Sequence, residues 1–408
     1  MRHRTFKNIG YLTGGNILAQ LISLLGAFYI PRLLGPEYYG IYNTVTAYVA
    51  LFTVFTFGGL TKVIIREIAK DTAKAKIIIE TTIGLRNLFS LAAAVLSIII
   101  VLFISYDSGT KIYIFVYSFS LLLKGMHSSI NTIFQSHQKM KILGIIATVN
   151  QLIKVPISIF LLYCGYSILS LIILHLVLEI ITLIFLYKTS QKIIRFNLFS
   201  KICFIKEYIY SGTRFSLLQF LNILSGKIDL VMLSFLTTPT NVGIYALAYR
   251  LVNKGLVLRA PISQSLFPYY SNKYNTNKPQ TRELLIHTAL IAIPLILFLI
   301  PALFLIKPII SNVIGAEFLK SADIFKVLIF YLIFNFSIIP WGLALQTTSN
   351  EKYSLITVSI CAILNISLNL IFYYNYGIIG VAYSTLIVEL IRIMFVIIFV
   401  NTIWGEND

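Results

Sequence analysis

Charged residues are scarce in this sequence. They make up 12% of its 408 residues, which is about half of the fraction that soluble domains carry. Apolar residues make up 58%, and the mean hydropathy is +0.85. A water-soluble fold has too little polar surface to cover so many apolar side chains. The composition therefore excludes an ordinary soluble protein.

Cysteine is also scarce, and its three positions form no pattern. Cys164, Cys203 and Cys361 are widely spaced, and the sequence contains neither a Cys-x-x-Cys motif nor a Cys/His cluster. We therefore predict no zinc site and no disulfide framework. Paired carboxylates in a loop are missing too, and the longest predicted connection is 188–210. We expect no catalytic residues, no metal and no cofactor.

Acidic residues are fewer still than basic ones. The chain has 15 Asp and Glu against 33 Lys and Arg, for a formal net charge of +18. In a soluble protein this excess would suggest nucleic acid as a partner. In a membrane protein Lys and Arg collect in the cytoplasmic loops, so we interpret the charge as a topology signal.

Apolar runs recur along the whole chain, each long enough to span a bilayer with about 20 residues. Backbone groups in lipid must be hydrogen-bonded within the protein, and the runs are too long and too uniformly apolar for barrel strands. We predict an all-α, multi-pass membrane protein with about twelve transmembrane helices. The predicted segments are 9–34, 40–62, 77–104, 112–136, 142–164, 166–187, 211–236, 241–267, 284–309, 321–346, 353–375 and 378–403.

The basic residues between these segments alternate in density. If the N-terminus is cytoplasmic, the connections on the opposite side hold only Arg32, Lys111, Lys307, Lys320 and Lys326. The cytoplasmic connections then hold Arg2, Arg4, Lys7, Lys62, Arg66, Lys70, Lys74, Lys76, Lys139, Lys141, Lys188, Lys192, Arg195, Lys201, Lys206, Lys273, Lys278, Arg282 and Lys352. This asymmetry predicts that both termini are cytoplasmic.

The two halves of the chain resemble each other. Segments 2 and 8 both open on Gly-Ile-Tyr, and segments 6 and 12 both follow a glycine and contain similar tetrapeptides ending in glutamate. The matching positions are 40–42 and 243–245, Gly165 and Gly377, and 176–179 and 386–389. An offset of six helices gives both halves the same orientation, as in transporters built from parallel repeats with cargo bound between them.

From this repeat we predict an N-terminal lobe at 1–187, a basic cytoplasmic linker at 188–210 and a C-terminal lobe at 211–408. The linker mixes lysines with Phe196, Leu198, Phe199 and Phe204. It is either an amphipathic piece at the membrane interface or a plain topological anchor.

Charges inside the segments are the strongest functional signal. The bases are Arg86, Lys124, Lys154, Arg214, Lys227, Arg250, Lys254, Arg259 and Arg392, and the acids are Glu179, Asp229 and Glu389. Charges in lipid are costly and normally face a bundle interior or water. Since the bases outnumber the acids, internal pairs alone leave an excess of positive charge. An anionic cargo, such as a pyrophosphate, would neutralise it.

Six of these bases are candidates for a cationic cavity that binds the cargo. They are Lys154, Lys124, Arg250, Lys254, Arg86 and Lys227. Lys154 and Lys124 lie near the middle of their segments, while Arg250 and Lys254 lie one turn apart on one helix face. For Lys154 and Lys124 the alternative is a structural ion pair, and Arg214 is expected to be an interfacial anchor.

Three further residues are candidates for ion coupling. Asp229 is either a proton or sodium site or a charge partner of Arg250 or Lys254. His175 and Glu179 lie one helical turn apart, and their pair either titrates or serves as a structural contact. For Glu389 the simplest partner is Arg392 at i+3, and Asn365 and Asn369 share one helix face.

Several longer motifs, at the expected helix numbers, carry a resemblance to a known family. They are the opening NIGYLTGGNILAQLISLLGAFYIPRLLGPEYYGIYN, KIDLVMLSFL, VGIYALAYRLVNK, PYYS and YGIIGVAYSTLIVEL. Over its whole length the chain resembles the polysaccharide transporters of the MOP superfamily, the Wzx-type O-antigen flippases, which are relatives of MATE exporters and lipid II flippases.

The resemblance implies two six-helix bundles in a MATE-like V shape, in a bacterial inner membrane. The implied cargo is a polyprenyl-pyrophosphate-linked oligosaccharide, moved from the cytoplasmic to the outer leaflet by alternating access. The implied partners are this cargo, membrane lipid, a polysaccharide polymerase and chain-length proteins, with no nucleic acid. A MATE-like exporter of organic cations is the alternative, although a cationic interior argues against it.

Overall fold

A computed structural model describes residues 2–198, 206–276, 281–347 and 351–405. Within these ranges the chain is helical apart from short connections, and no strand occurs. The helices are α1 Arg2–Phe52, α2 Leu60–Lys70, α3 Ala75–Phe103, α4 Ser108–Ser136, α5 Met140–Tyr163, α6 Ile168–Ser190, α7 Lys206–Leu236, α8 Pro239–Leu256, α9 Arg259–Thr276, α10 Thr281–Ile309, α11 Lys320–Ser337, α12 Ile339–Thr347, α13 Glu351–Tyr376 and α14 Ile378–Gly405.

In the described ranges, nine helical stretches are long and apolar enough to cross a membrane. They are Ala19–Lys70, Ala75–Phe103, Met140–Tyr163, Ile168–Ser190, Gln219–Leu236, Thr281–Ile314, Lys320–Thr347, Tyr353–Tyr376 and Ile378–Ile403. The first takes in two predicted segments. Predicted segments 112–136 and 241–267 are helical as well, in α4 and in α8 with α9, but they are richer in polar residues. The predicted all-α, multi-pass class is confirmed.

Helix α1 joins the first two predicted segments across a kink. Gly35 has a left-handed backbone conformation there, with φ of 70°. Pro36 follows directly, and proline favours the first position of a helix because it lacks the N–H that would stay unpaired. The boundary predicted near residues 34–40 is thus a sharp bend rather than a loop.

The backbone packs into two compact units. The first comprises Met1–Gly26 and Ile41–Lys227, and the second comprises Ala27–Gly40 and Ile228–Asp408. The predicted lobes 1–187 and 211–408 differ from these units in the placement of 27–40 and 211–227. A division into functional lobes stays a prediction.

Part of the predicted linker folds onto the first unit. Phe196 is 3% exposed and belongs to an apolar cluster with Leu60, Ile79 and Phe134. The backbone oxygen of Leu198 accepts a hydrogen bond from Asn87 Nδ2 at 2.8 Å. Residues Phe199 and Phe204, which we also expected in the linker, lie outside the described residues.

The second unit contains a close crossing between α8 and the part of α1 that follows the kink. A Cβ atom added to Gly40 would lie 1.8 Å from the Pro239 backbone oxygen. A Cβ atom added to Gly243 would lie 1.9 Å from the Pro36 backbone oxygen. Each proline stands four residues before its glycine, so the two repeat-related motifs contact each other reciprocally.

Candidate functional site

The first unit holds a cavity of about 510 Å³ between α4, α5 and α6, with one residue from α2. This volume is in the range of small-molecule sites. The lining residues are Thr61, Lys124, His127, Ser128, Asn131, Gln135, Leu143, Ile146, Ala147, Asn150, Gln151, Lys154, His175, Leu178, Glu179, Thr182 and Leu186. Most of them are polar, although the helices that carry them are mainly apolar.

Two of the predicted cavity bases, Lys124 and Lys154, lie on this wall. Lys124 Nζ lies 5.7 Å from the centre of the Tyr117 ring, within the range of a cation–π contact. Lys154 Nζ lies 2.8 Å from His175 Nδ1. The helical rotation of α4 and α5 therefore brings together two charges that are 30 residues apart in the sequence.

A chain of three groups runs from Lys154 through His175 to Glu179. An ammonium group only donates hydrogen bonds, so His175 Nδ1 accepts from a charged Lys154 and carries no proton. The ring is then neutral, and its Nε2–H donates to Glu179 Oε1 at 3.0 Å. The predicted contact between His175 and Glu179 is confirmed. Lys154, from another helix, is the member that the sequence did not reveal.

Neutral polar groups form the rest of the wall. Thr182 Oγ1 lies 2.7 Å from the backbone oxygen of Leu178 and 3.0 Å from Asn150 Oδ1, so its single hydrogen serves one of the two oxygens. His127 Nε2 lies 3.0 Å from the backbone oxygen of Glu179. Amides and hydroxyls of this kind both donate and accept hydrogen bonds, as recognition of a sugar requires.

Arg86 differs from the two lysines. Its side chain is fully buried, and it is absent from the cavity wall. Its guanidinium donates to three hydroxyl groups, of Thr61 at 2.7 Å, Thr132 at 3.3 Å and Ser129 at 3.5 Å. The structure therefore places Arg86 one layer behind the wall.

The remaining predicted cavity bases, Arg250, Lys254 and Lys227, do not line this cavity either. Arg250 Nη1 donates to the hydroxyl of Tyr39 at 3.3 Å, within the second unit. Lys254 lies one turn further along α8, and Lys227 ends the first unit on α7. All three are half-buried.

The second unit buries Asp229 among neutral polar groups. Its carboxylate accepts hydrogen bonds from Asn369 Nδ2 and Thr385 Oγ1, both at 2.8 Å, and from the Tyr245 hydroxyl at 2.9 Å. The expectation that Arg250 or Lys254 pairs with it is wrong, because its described partners are uncharged. Tyr245 and Thr385 come from α8 and α14, and no spacing in the sequence links them to Asp229.

Two other contacts in this unit follow the sequence. Asn369 Nδ2 also donates to Asn365 Oδ1 at 3.2 Å, as expected from their shared helix face. Arg392 forms the predicted ion pair with Glu389. Asn335 Nδ2 adds a hydrogen bond to the same carboxylate at 3.1 Å. Across the described ranges, no group of three or more His, Cys, Asp or Glu side chains is arranged to hold a metal ion.

Comparison with known proteins gives matches by sequence. A family model described as polysaccharide biosynthesis protein matches residues 5–274. The probable low-salt glycan biosynthesis flippase Agl15 of Haloferax volcanii is 24% identical over 203 residues, which are 49% of this chain and 39% of that protein. The aligned part thus spans well under two thirds of that relative.

Solved structures match over almost the whole chain. The lipid II flippase MurJ in an inward closed conformation has a TM-score of 0.77 at 20% identity, over 97% of this chain and 87% of that one. An inward-facing multidrug resistance MATE family transporter of the MOP superfamily has a TM-score of 0.68 at 13% identity, over 97% and 96%. The chain shares their fold.

Proposed function

The chain belongs to the polysaccharide biosynthesis protein family, and on this premise we propose that it is a flippase for a lipid-linked glycan. The proposed cargo is a polyprenyl-pyrophosphate-linked oligosaccharide, moved between leaflets by alternating access. The relatives described above are named as flippases and transporters, which agrees with the expectation that the protein is not an enzyme.

The observation that carries the proposal is the charge of the cavity in the first unit. Its wall holds Lys124 and Lys154 as cations and Glu179 as the only acid among the lining residues. Because the hydrogen bonding leaves His175 neutral, the wall has a net positive charge. Arg86 adds another positive charge behind the wall. Lysine is a common ligand of phosphate groups, and a low-dielectric surrounding strengthens that attraction.

The neutral part of the wall supports a sugar as the second component of the cargo. Asn131, Gln135, Asn150 and Gln151 lie on α4 and α5, beside the hydroxyls of Ser128 and Thr182. A cavity for an organic cation would instead need acidic groups in excess. The amides and hydroxyls, together with the lysines, favour an anionic glycan over the cationic cargo of an exporter.

The sequence and its resemblance add finer proposals. These are an O-antigen or other surface polysaccharide unit as cargo, and a bacterial inner membrane with both termini cytoplasmic. A polysaccharide polymerase and chain-length proteins are the proposed partners.

Ion coupling is proposed at Asp229. A buried carboxylate that has only neutral partners needs a proton or a cation for charge balance. His175 and Glu179 are the second proposed coupling pair, within the cavity of the first unit. Lys154 already supplies a positive charge to that pair, so Asp229 is the better candidate.

The test compares a strain that lacks this gene with strains that carry it or a variant. The measurement is the fraction of lipid-linked glycan in each leaflet, together with the amount of surface polysaccharide. Loss of the gene should trap the lipid-linked glycan in the cytoplasmic leaflet. Lys154→Gln should do the same at normal expression, because the cavity then loses one of its two cations.

Lys141→Gln is the matched control, since Lys141 lies on the same helix, is exposed and does not line the cavity. This variant should leave the glycan distribution as in the wild type. Normal surface polysaccharide in the strain that lacks the gene would contradict the flippase proposal. Export of organic cations by the purified protein, with no movement of the glycan, would favour the exporter alternative.

A further inference from the structure

Arg86 is a buried charge without an acidic partner in the described part of the chain. It is 0% exposed, and within the described part of the chain it donates hydrogen bonds to the hydroxyl groups of Thr61, Ser129 and Thr132. Its Nε–H has no hydrogen-bond partner among the described residues. Charged side chains at membrane depth are costly and mark functional positions. Holding three neutral hydroxyl groups in place does not require a fully charged guanidinium, so these contacts alone do not explain the buried charge of Arg86.

Of these three hydroxyl residues, only Thr61 also lines the cavity. Its Oγ1 receives the shortest of the arginine hydrogen bonds, at 2.7 Å. The same oxygen lies 3.3 Å from Ser128 Oγ, which is also on the cavity wall. Thr61 and Ser128 therefore form a continuous polar path from the buried charge to the cavity.

The direction of the hydrogen bonds along this path follows from the chemistry of the groups. A guanidinium only donates, whereas a hydroxyl has one hydrogen and two acceptor lone pairs. Since Arg86 occupies a lone pair of Thr61 Oγ1, the Thr61 hydrogen points away from the arginine, toward Ser128 or the cavity. Hydrogen bonds in a chain polarise one another, so the charge strengthens this donation.

We propose that Arg86 is a positioning residue that makes the linked Thr61 and Ser128 hydroxyls donate a hydrogen bond to an anionic oxygen of the cargo. This rests on the proposed function, because it assumes that the cavity receives the head group of the lipid-linked glycan. The pyrophosphate is the assigned source of the anionic oxygen, and a carboxylate of an acidic sugar is the other source to be tested. Arg86 contributes without touching the cargo.

The experiment measures binding of farnesyl pyrophosphate to the purified full-length protein in nanodiscs. Farnesol is the uncharged control for the lipid chain, and glucuronate tests a sugar carboxylate. Thr61→Val removes the hydroxyl but keeps the shape of the side chain, so it should fold even if an Arg86 variant does not. It should weaken binding of farnesyl pyrophosphate about tenfold, as expected for one charge-assisted hydrogen bond, and leave farnesol binding unchanged.

Thr132→Val is the matched control, because Thr132 also accepts from Arg86 but does not line the cavity. It should leave the affinity for farnesyl pyrophosphate within about twofold of the wild type. Arg86→Met should match the loss of Thr61→Val, and the double variant should lose no more than either single variant, since both act through one path. Arg86→Lys, which keeps the charge, should restore part of the affinity, whereas a purely structural role would give no such pattern.

Two results would overturn the inference while the proposed function stands. One is a Thr61→Val protein that binds farnesyl pyrophosphate like the wild type while Lys154→Gln binds it weakly. The other is a double variant whose losses multiply, which would mean that Arg86 and Thr61 act independently. If the wild type binds glucuronate and not farnesyl pyrophosphate, the assignment to pyrophosphate is wrong. If it binds neither, the role of the cavity fails together with this inference.

Discussion

Replacing Gly40 by alanine is expected to destabilise the protein through the crossing between α1 and α8. The new Cβ atom would lie 1.8 Å from the Pro239 backbone oxygen and 2.9 Å from the Gly243 backbone nitrogen. Both neighbours are backbone atoms within the second unit, so no side-chain rotation relieves the overlap. The two helices must move apart by roughly 1 Å, which weakens the dispersion contacts along the crossing by a quarter to a half.

The magnitude follows from two opposing effects. Overpacking of a well-packed interior costs about 1–3 kcal/mol, and a clash with backbone belongs at the upper end of that range. Alanine in a helix is more favourable than glycine by about 1 kcal/mol. The net loss for Gly40→Ala is therefore about 2 kcal/mol of unfolding free energy.

Gly342→Ala is the matched control, because it tests the helix preference alone. Gly342 lies in α12, and apart from the adjacent backbone of its own helix no described atom lies within 4 Å of its added Cβ. This variant should gain up to about 1 kcal/mol. The assay is unfolding of the purified protein by SDS in mixed micelles, followed by circular dichroism, with both variants compared to the wild type.

The reciprocal geometry allows a sharper test. Gly243→Ala should cost about as much as Gly40→Ala, since its Cβ would lie 1.9 Å from the Pro36 backbone oxygen. The double variant should cost clearly less than the two losses together, because one separation of the helices relieves both overlaps. If Gly40→Ala unfolds at the same SDS concentration as Gly342→Ala, the close crossing does not exist as described.

Further predictions concern single carboxylates. Asp229→Asn should abolish transport driven by a sodium or proton gradient in proteoliposomes while farnesyl pyrophosphate still binds, and gradient-driven transport that persists would refute coupling at this site. Glu389→Gln leaves Arg392 without its ion-pair partner and should lower the unfolding free energy by about 2–3 kcal/mol. This loss is smaller than for a fully buried pair because the Arg392 side chain is 22% exposed. An unchanged unfolding midpoint would contradict this prediction. Asp107 caps α4 by accepting from the Thr110 backbone N–H at 2.9 Å. Burial raises the pKa of this carboxyl, but hydrogen bonds from Thr110 and from the backbone N–H groups of Asp107 and Gly109 together outweigh that effect and hold the pKa below its ordinary value of 3.8. Its stabilisation is therefore present above the ordinary pKa of 3.8 and is lost as the pH falls through the lowered pKa. Asp107→Ala should thus cost about 1 kcal/mol at neutral pH and progressively less as the pH is lowered below 3.8, and a loss that does not shrink with falling pH would refute the argument.

Contacts within one helix were predictable from spacing. His175 with Glu179 and Glu389 with Arg392 stand at i+4 and i+3, and both pairs form. The geometry of an α-helix places residues three and four apart on one face whatever surrounds it. The helical segments were also predictable, from hydropathy. Each segment in lipid must form its own backbone hydrogen bonds, so its helical structure does not depend on the other segments.

Contacts between helices were not predictable in this way. Lys154 is 21 residues from His175, and Asp229 is 140 residues from Asn369. Which residues meet depends on how each helix is rotated about its axis. A soluble helix reveals that rotation by its apolar stripe, but a helix that is apolar on all sides does not.

The sequence by itself determined the membrane-spanning class, the helices, the repeat and the excess of positive charge inside the segments. Only the tertiary structure decided what surrounds each of these charges. It put Lys124 and Lys154 on a cavity wall, moved Arg86 behind that wall and surrounded Asp229 with neutral groups. The physical reason is that the cost of a charge in lipid is set by its neighbours, and these come from helices far apart in the chain.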